Sequence, residues 1–214
     1  MSKPEIIDRI VNPGILAVIR ADSSEQLISV AEALYEGGVI GLEITMTTPN
    51  ALQVISDVSK RFGKKVLVGV GTVLDTETCR AAILAGAQFA VTPVLRPEVI
   101  KMCNRYGVPI AAGAYTPTEA LTAYESGADF VKIFPADQLG PTYIKNILGP
   151  LPQLRIIPTG GVTVATVDSF IKAGCVALGA GSSLVSKDVL KNQDWKKLTE
   201  TAAAFVEAIK KARA

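Results

Sequence analysis

The sequence contains no histidine among its 214 residues. Histidine-ligated zinc, histidine general bases and the usual serine or cysteine triads are therefore excluded. Any chemistry must use lysine, carboxylates, hydroxyls and the backbone. The three cysteines, Cys79, Cys103 and Cys175, lie too far apart in sequence for a zinc or redox motif, and we expect them to be small apolar fillers. We predict neither a metal site nor a cofactor.

The sequence also lacks a dominant charge and long apolar runs. Its 22 basic and 20 acidic residues leave a net charge of +2, which gives no field to gather nucleic acid or an anionic membrane. No stretch approaches the ~20 apolar residues of a membrane span, and the N-terminus does not read as a signal peptide. We expect a cytoplasmic protein with no nucleic-acid or membrane partner. With 49% hydrophobic residues, a single domain over residues 1–214 can bury a large core.

Short apolar runs alternate with longer amphipathic stretches along the chain. Glycine precedes many of the runs, as in EGGVIGLEI and LAGAQFAVT, where a helix would be expected to end. Helix starts are marked by Asp22 with the serines that follow it, by Thr48 before Pro49 and by Thr116 before a proline. The predicted strands are 15–20, 39–45, 66–72, 88–92, 108–113, 129–134, 155–159 and 176–179.

The strand candidates, such as VLVGVG and FVKIF, show no polar alternation. This pattern indicates a parallel sheet that is covered on both faces or closed on itself. Eight strand–helix units fit best an α/β fold of the (β/α)8 TIM barrel type, with an additional N-terminal helix. A doubly wound open sheet is the alternative. Segments 4–11 and 195–212 are expected to be a lid and a final barrel helix.

A lysine inside an apolar strand is the most informative single feature. Lys132 lies in ADFVKIFPAD, and burying an ammonium ion is costly unless it is paired. A desolvated lysine binds its proton less tightly, and a neutral amine is the nucleophile that forms a Schiff base with a carbonyl. Glu43 in GLEIT is a second charge in an apolar strand and could shuttle protons in a retro-aldol reaction. Alternatively, the two residues form a structural ion pair.

Two glycine-rich segments, PTGGVT at 158–163 and GAGSS at 179–183, follow the seventh and eighth predicted strands. Barrels often bind phosphate there through backbone N–H groups. The other interpretation is that these glycines only form tight turns.

Further polar residues end the predicted strands. Arg20 could bind a carboxylate or phosphate, or pack as a surface residue over the barrel rim. Thr72, Thr92 with Pro93, and Thr159 place hydroxyls around the expected mouth, where each could instead be a strand-end cap.

These motifs together match a known family. AVIR, EGGVIGLEIT, VGVGTV, GAQFAVTP, FVKIFPA, PTGGV and GSSLV occur in the same order in the bacterial 2-keto-3-deoxy-6-phosphogluconate (KDPG) and 2-keto-4-hydroxyglutarate (KHG) aldolases. The chain resembles this family over nearly its whole length. FVKIFPA and LEIT carry the most specific part of the resemblance.

The resemblance implies a class I aldolase in which Lys132 forms the Schiff base and Glu43 transfers protons. Such enzymes cleave a phosphorylated 2-keto acid to pyruvate and D-glyceraldehyde 3-phosphate, and are commonly homotrimeric (β/α)8 barrels. The implied keto-acid contacts are Thr72, Pro93, Phe134 and Thr159. The implied phosphate contacts are Gly160, Gly161, Gly181 and Ser182.

One position departs from the family. Many members carry an arginine four residues after the glutamate, where this chain has Thr47. We therefore expect Thr47 and Arg20 to share recognition of the substrate's anionic groups, with Arg20 as the substitute cation.

Three alternatives remain open at this point. The enzyme could act on the galactonate epimer or on unphosphorylated hydroxyglutarate by the same mechanism. It could be a phosphosugar isomerase or epimerase on the same barrel. It could also be a barrel that binds sugar phosphates without catalysis.

Overall fold

A computed structural model describes residues 1–20 and 24–214, and within them eight parallel strands alternate with helices. The helix start predicted at Asp22 lies outside the described residues. The strands are β1 (Ile15–Ile19), β2 (Gly41–Thr45), β3 (Leu67–Gly71), β4 (Phe89–Val91), β5 (Ile110–Ala114), β6 (Phe130–Ile133), β7 (Ile156–Pro158) and β8 (Leu178–Ala180).

The strands form one sheet in the order β7-β6-β5-β4-β3-β2-β1-β8. Its two ends meet where Thr159 forms a parallel bridge with Gly179, and Val176 N–H donates to the Ile156 carbonyl at 3.1 Å. Because β7 and β8 are also in contact, the sheet is nearly closed. The predicted (β/α)8 barrel is confirmed, and the open doubly wound sheet is wrong.

Helices cover the outside of the barrel, and one precedes the first strand. None of the described helices is long and apolar enough to cross a membrane. Their bounds are α1 (Lys3–Val11), α2 (Ser24–Glu36), α3 (Ala51–Phe62), α4 (Thr76–Ala85), α5 (Pro97–Arg105), α6 (Pro117–Glu125), α7 (Gly140–Leu148), α8 (Val167–Lys172), α9 (Lys187–Asn192) and α10 (Trp195–Arg213). As predicted for the last barrel helix, α10 packs between α2 and α8.

Helix α1 covers the amino-terminal end of the barrel. Ile6 and Ile10 pack on the lowest side chains of the barrel interior, including Phe89 and Phe130. Lys3 fixes the helix by an ion pair of 3.0 Å with Asp129, just before β6 begins. The predicted lid therefore closes the base of the barrel, opposite the carboxyl ends of the strands.

Two predicted helix starts can be compared with the structure. Thr116 does cap α6, because its hydroxyl accepts a hydrogen bond from Glu119 N–H at 3.2 Å, and the Glu119 carboxylate accepts from Thr116 N–H at 2.8 Å. Hydrogen bonds from the Tyr115 backbone and the Thr116 side chain lower the pKa of Glu119. Thr48 does not cap α3, which begins at Ala51 after Asn50 turns the chain with a φ of 53°.

Several predicted strands are longer than the observed ones because their first residues complete the preceding helix. Val39 N–H donates to the Leu34 carbonyl at 2.9 Å, so β2 begins two residues later. Val108 N–H similarly donates to Cys103, and β5 begins at Ile110. Glycine before the strand ends the helix as expected, for example Gly86 with a φ of 114° after α4.

The three cysteines are buried and free. The fold brings Cys79 and Cys103 together across α4 and α5, with their sulfur atoms 3.5 Å apart, although the sequence spacing gave no sign of it. Burial raises the pKa of the Cys175 thiol to about 12. All three fill apolar space, as predicted.

Candidate active site

Lys132 and Glu43 meet inside the barrel. β6 carries Lys132 and β2 carries Glu43, so the two side chains come from opposite sides of the ring of strands. Lys132 Nζ lies 3.6 Å from Glu43 Oε1, and the residues are only 5% and 2% exposed. The two charges that sequence analysis singled out therefore form one buried constellation.

The Lys132 amine and the Glu43 carboxylate form a loosely held ion pair. A buried ion pair offsets its desolvation only with short, well-aligned hydrogen bonds to both groups. At 3.6 Å the two charged groups are beyond hydrogen-bond distance. Within residues 1–20 and 24–214, no hydrogen bond joins either group to another side chain or to the backbone. The two groups therefore attract each other without a direct hydrogen bond between them.

A cavity of about 280 Å³ opens at the carboxyl ends of β1, β7 and β8, and neither Lys132 nor Glu43 is among the residues that line it. It brings together most of the residues that the sequence analysis selected as substrate or phosphate contacts. Those that line it are Arg20, Phe134, Thr159, Gly160, Gly161, Gly181 and Ser182. The two glycine-rich turns are tied to each other because the Ser183 hydroxyl donates to the Val162 carbonyl at 2.6 Å.

Phe134 and Thr159 connect the cavity to the lysine. The Phe134 ring centroid is 5.2 Å from Lys132 Nζ, and the ring is 36% exposed. Thr159 is 8% exposed and its N–H donates to the Ile133 carbonyl at 3.0 Å, which fixes the strand ends beside the amine. Phe134 and Thr159 therefore lie both at the cavity wall and beside the strand that carries Lys132.

The glycines of the two turns have different reasons for lacking a side chain. Gly160 and Gly161 have φ values of 99° and 69°, and a Cβ on Gly161 would lie 2.8 Å from Asp137 Cα. Backbone conformation and packing therefore require these two glycines. Gly181 has no left-handed φ, and a Cβ there would meet nothing within 4 Å. Its glycine leaves open space at the cavity wall, which the interpretation as tight turns alone does not explain.

Three predicted contacts lie outside this cavity. Thr47 hydrogen bonds through its hydroxyl to the Thr45 hydroxyl at 2.8 Å and lines a neighbouring cavity of about 550 Å³. Arg20 lines both cavities and so stands between Thr47 and the glycine-rich turns. Thr72 follows β3 with a φ of 59°, a strained conformation for a β-branched residue. Pro93 follows β4, where its backbone packs closely against Gly113.

Sequence analysis missed part of the cavity wall. Val18 lines the cavity but was not selected. The two-residue period of a strand could have identified Val18, because Leu16 faces the barrel interior and Arg20 lines the cavity. Two larger cavities of about 600 Å³ lie on the outside of the barrel, one along α10 beside Asn12 and one between α2 and α10. Neither Lys132 nor Glu43 lines any of these three cavities.

Comparisons with known proteins agree with this geometry. The family model described as KDPG and KHG aldolase matches residues 6–201. The chain belongs to this family. It is 35% identical to a 2-dehydro-3-deoxy-6-phosphogalactonate aldolase of Escherichia coli over 92% of this chain and 95% of the relative. It is 34% identical to a 2-dehydro-3-deoxy-phosphogluconate aldolase of Pseudomonas aeruginosa, over 90% of this chain and 88% of the relative.

One solved structure of a similar protein contains a reaction intermediate. The KDPG aldolase of Legionella pneumophila, with pyruvate captured as a covalent carbinolamine intermediate, superposes with a TM-score of 0.84 at 29% identity. The match covers 90% of this chain and 93% of that one. The present family member is accordingly an aldolase, a lyase that cleaves a carbon–carbon bond.

Proposed function

We propose that this aldolase works through a Schiff base on Lys132, with Glu43 as the proton-transferring residue. The observation that carries the proposal is the buried amine 3.6 Å from a buried carboxylate, with the Phe134 ring between this amine and a cavity at the carboxyl ends of the strands. An amine attacks a carbonyl only in its neutral form, and a neighbouring carboxylate that accepts its proton supplies that form.

The reaction follows from these two groups. Lys132 Nζ adds to the C2 carbonyl of a 2-keto acid to form a carbinolamine, and loss of water gives an iminium ion. The iminium draws electrons from the C3–C4 bond as Glu43, acting as general base, takes the proton from the C4 hydroxyl. Cleavage releases an aldehyde and leaves an enamine, which regains a proton at C3 from Glu43. Hydrolysis then frees pyruvate and the amine.

The substrate that fits best is KDPG, which would be cleaved reversibly to pyruvate and D-glyceraldehyde 3-phosphate. The backbone N–H groups of the two glycine-rich turns suit the phosphate, and Arg20 at their edge adds a positive charge. In this arrangement Gly160, Gly161, Gly181 and Ser182 contact the phosphate. Phe134 and Thr159 line the cavity on the side of the keto-acid portion, and Arg20 and Thr47 are available for its carboxylate. Thr72 and Pro93, which lie outside the cavity, are proposed as further keto-acid contacts on the family resemblance alone.

A second candidate is the galactonate epimer of the same substrate. The observation in its favour is that relatives named for the two epimers are almost equally similar to this chain, at 35% and 34% identity. The two substrates differ only in the direction of one hydroxyl group, so a single contact such as Thr159 can decide between them. KHG, which has no phosphate, would leave the glycine-rich turns without a role.

Covalent trapping tests the mechanism and the residue together. Pyruvate should form an imine with the enzyme, and borohydride should reduce this imine to a stable amine. The protein should then gain the mass of one reduced pyruvate adduct, located on Lys132 by peptide mass spectrometry. Cleavage rates with KDPG, its galactonate epimer and KHG then rank the substrates. An isomerase or epimerase that uses carboxylates alone would leave every lysine unlabelled, and a non-catalytic barrel would cleave none of the three compounds.

Gly181 provides a test of phosphate binding that is separate from folding. Gly181→Ala should leave the midpoint of thermal unfolding unchanged, because a Cβ there meets nothing within 4 Å. The methyl group should still hold phosphate away from the turn and raise KM for KDPG about tenfold, equivalent to ~1.4 kcal/mol. Pyruvate trapping, which needs no phosphate, should proceed as in the parent. An unchanged KM for KDPG would place the phosphate elsewhere.

We further infer that residues 1–214 act as one domain, in a cytoplasmic homotrimer. Leu74, Val94 and Tyr115 follow three neighbouring strands and are 46%, 47% and 43% exposed, so one sector of the rim presents apolar side chains suited to a contact between subunits. The three free cysteines fit a reducing compartment.

A further inference from the structure

The inner wall of the barrel has a glycine beside its catalytic carboxylate. Gly71 is the last residue of β3, next to β2, where Thr45 is its partner in the sheet. A Cβ at this position would lie 2.6 Å from Cγ and 2.7 Å from Cδ of Glu43, and closer still to Oε1. The Glu43 side chain therefore occupies the space that any other residue at position 71 would fill.

Backbone conformation does not explain this glycine. Gly71 has no left-handed φ, in contrast to Gly160 and Gly161, so an alanine could adopt the same strand geometry. Sheet pairing does not explain it either, because the Gly71 carbonyl accepts from Met46 N–H at 2.9 Å and this bond is independent of the side chain. The overlap with Glu43 is what remains.

We propose that Gly71 is a positioning residue, whose missing side chain lets the Glu43 carboxylate lie against β3 at its distance from Lys132. This inference rests on the proposed role of Glu43. With alanine at position 71, the carboxylate must move by on the order of 1 Å to reach van der Waals distance, and a misplacement of that size can cost ~10²-fold in rate. Lys132 is on β6, across the barrel, so its backbone is unaffected.

Gly69 offers a matched comparison on the same strand. It also faces the interior, one layer deeper, and a Cβ there would lie 2.5 Å from Cδ2 of the Phe89 ring and still closer to its outer carbons. Gly69→Ala therefore crowds an apolar side chain of the same barrel, because the three atoms nearest to its Cβ all belong to Phe89, although Gly69 is the sheet partner of Glu43. Both glycines make room for a neighbour, but only Gly71 makes room for a carboxylate.

The experiment combines Gly71→Ala with a shortened acid. Gly71→Ala alone should lower kcat for KDPG cleavage ~10²-fold with little change in KM, while borohydride still traps pyruvate on Lys132. Glu43→Asp withdraws the carboxylate by one methylene and relieves the overlap. The double variant should therefore turn over faster than Gly71→Ala alone, whereas Gly69→Ala and Glu43→Asp should multiply their separate effects.

The results distinguish failure of the proposed role of Gly71 from failure of the proposed function. Multiplicative effects of Gly71→Ala and Glu43→Asp, or a Gly71→Ala enzyme within twofold of the parent, would overturn the role of Gly71. A parental rate in Glu43→Gln would instead overturn the proposed function. Should Gly71→Ala not fold, recovery of folding in Gly71→Ala with Glu43→Ala would assign the overlap to Glu43, and failure of both variants to fold would refute it.

Discussion

Lys132→Arg should abolish covalent trapping by pyruvate and borohydride and reduce aldol cleavage to background. A guanidinium keeps its charge at all accessible pH values and cannot form an imine, although it fills similar space and preserves a cation near Glu43. The expected loss of activity therefore comes from the missing imine-forming amine and not from loss of the ion pair with Glu43. Mass spectrometry of the treated protein, together with the rate of pyruvate release from KDPG, measures both effects.

Lys3, at the base of the barrel, serves as the control. Lys3 forms an ion pair of 3.0 Å with Asp129, just before β6 begins, at the base of the barrel. Lys3→Arg keeps this pair and should trap pyruvate at the parental rate. A pyruvyl group found on another lysine of the Lys132→Arg protein would show that the imine forms elsewhere.

Glu43→Gln should separate imine formation from turnover. The amide keeps the size of the side chain but cannot accept a proton, so trapping should continue slowly while kcat falls by ~10²-fold or more, the usual scale for the loss of acid–base help. KM should change little, because the amide still fills its place in the barrel. Steady-state cleavage of KDPG and the time course of borohydride trapping provide the two measurements.

The structural ion-pair interpretation predicts a different outcome for the same variant. If the pair served only stability, removing one charge would lower the free energy of unfolding by ~3–5 kcal/mol and leave no specific effect on the chemical step. Urea unfolding of Glu43→Gln beside its kinetics distinguishes the two. A variant that unfolds much more easily but turns over at the parental rate would contradict the proposed role of Glu43.

The barrel could be predicted from the sequence because local patterns of residue types indicate its strands and helices. Apolar runs without polar alternation, and glycines such as Gly86 that end helices, appear in the chain at regular intervals. Lys132 and Glu43 were recognisable as candidates because charge is rare inside such runs. Strand ends were less predictable, since residues such as Val39 complete a helix through hydrogen bonds that a pattern of residue types does not show.

The remaining part of the site depends on distances across the barrel. Nothing in VLVGVG distinguishes Gly69, which faces an aromatic ring, from Gly71, which faces a carboxylate. Likewise, Thr48 gave a plausible helix start, but its hydroxyl is buried and has no hydrogen-bond partner among the described residues, while Asn50 precedes α3. Such differences depend on contacts between segments that are far apart in sequence. The order of residue types along the chain does not show these contacts.

The closed base of the barrel leaves only the opposite end as a route to the buried pair. With Ile6 and Ile10 packed on Phe89 and Phe130 beneath the reactive amine, reactants and products share one route, through the carboxyl ends of the strands. In the proposed binding arrangement, the phosphorylated aldehyde is nearer that exit than the carbons bound to Lys132. We therefore expect ordered product release, with the aldehyde leaving first and pyruvate following once water has reached the imine from the same side.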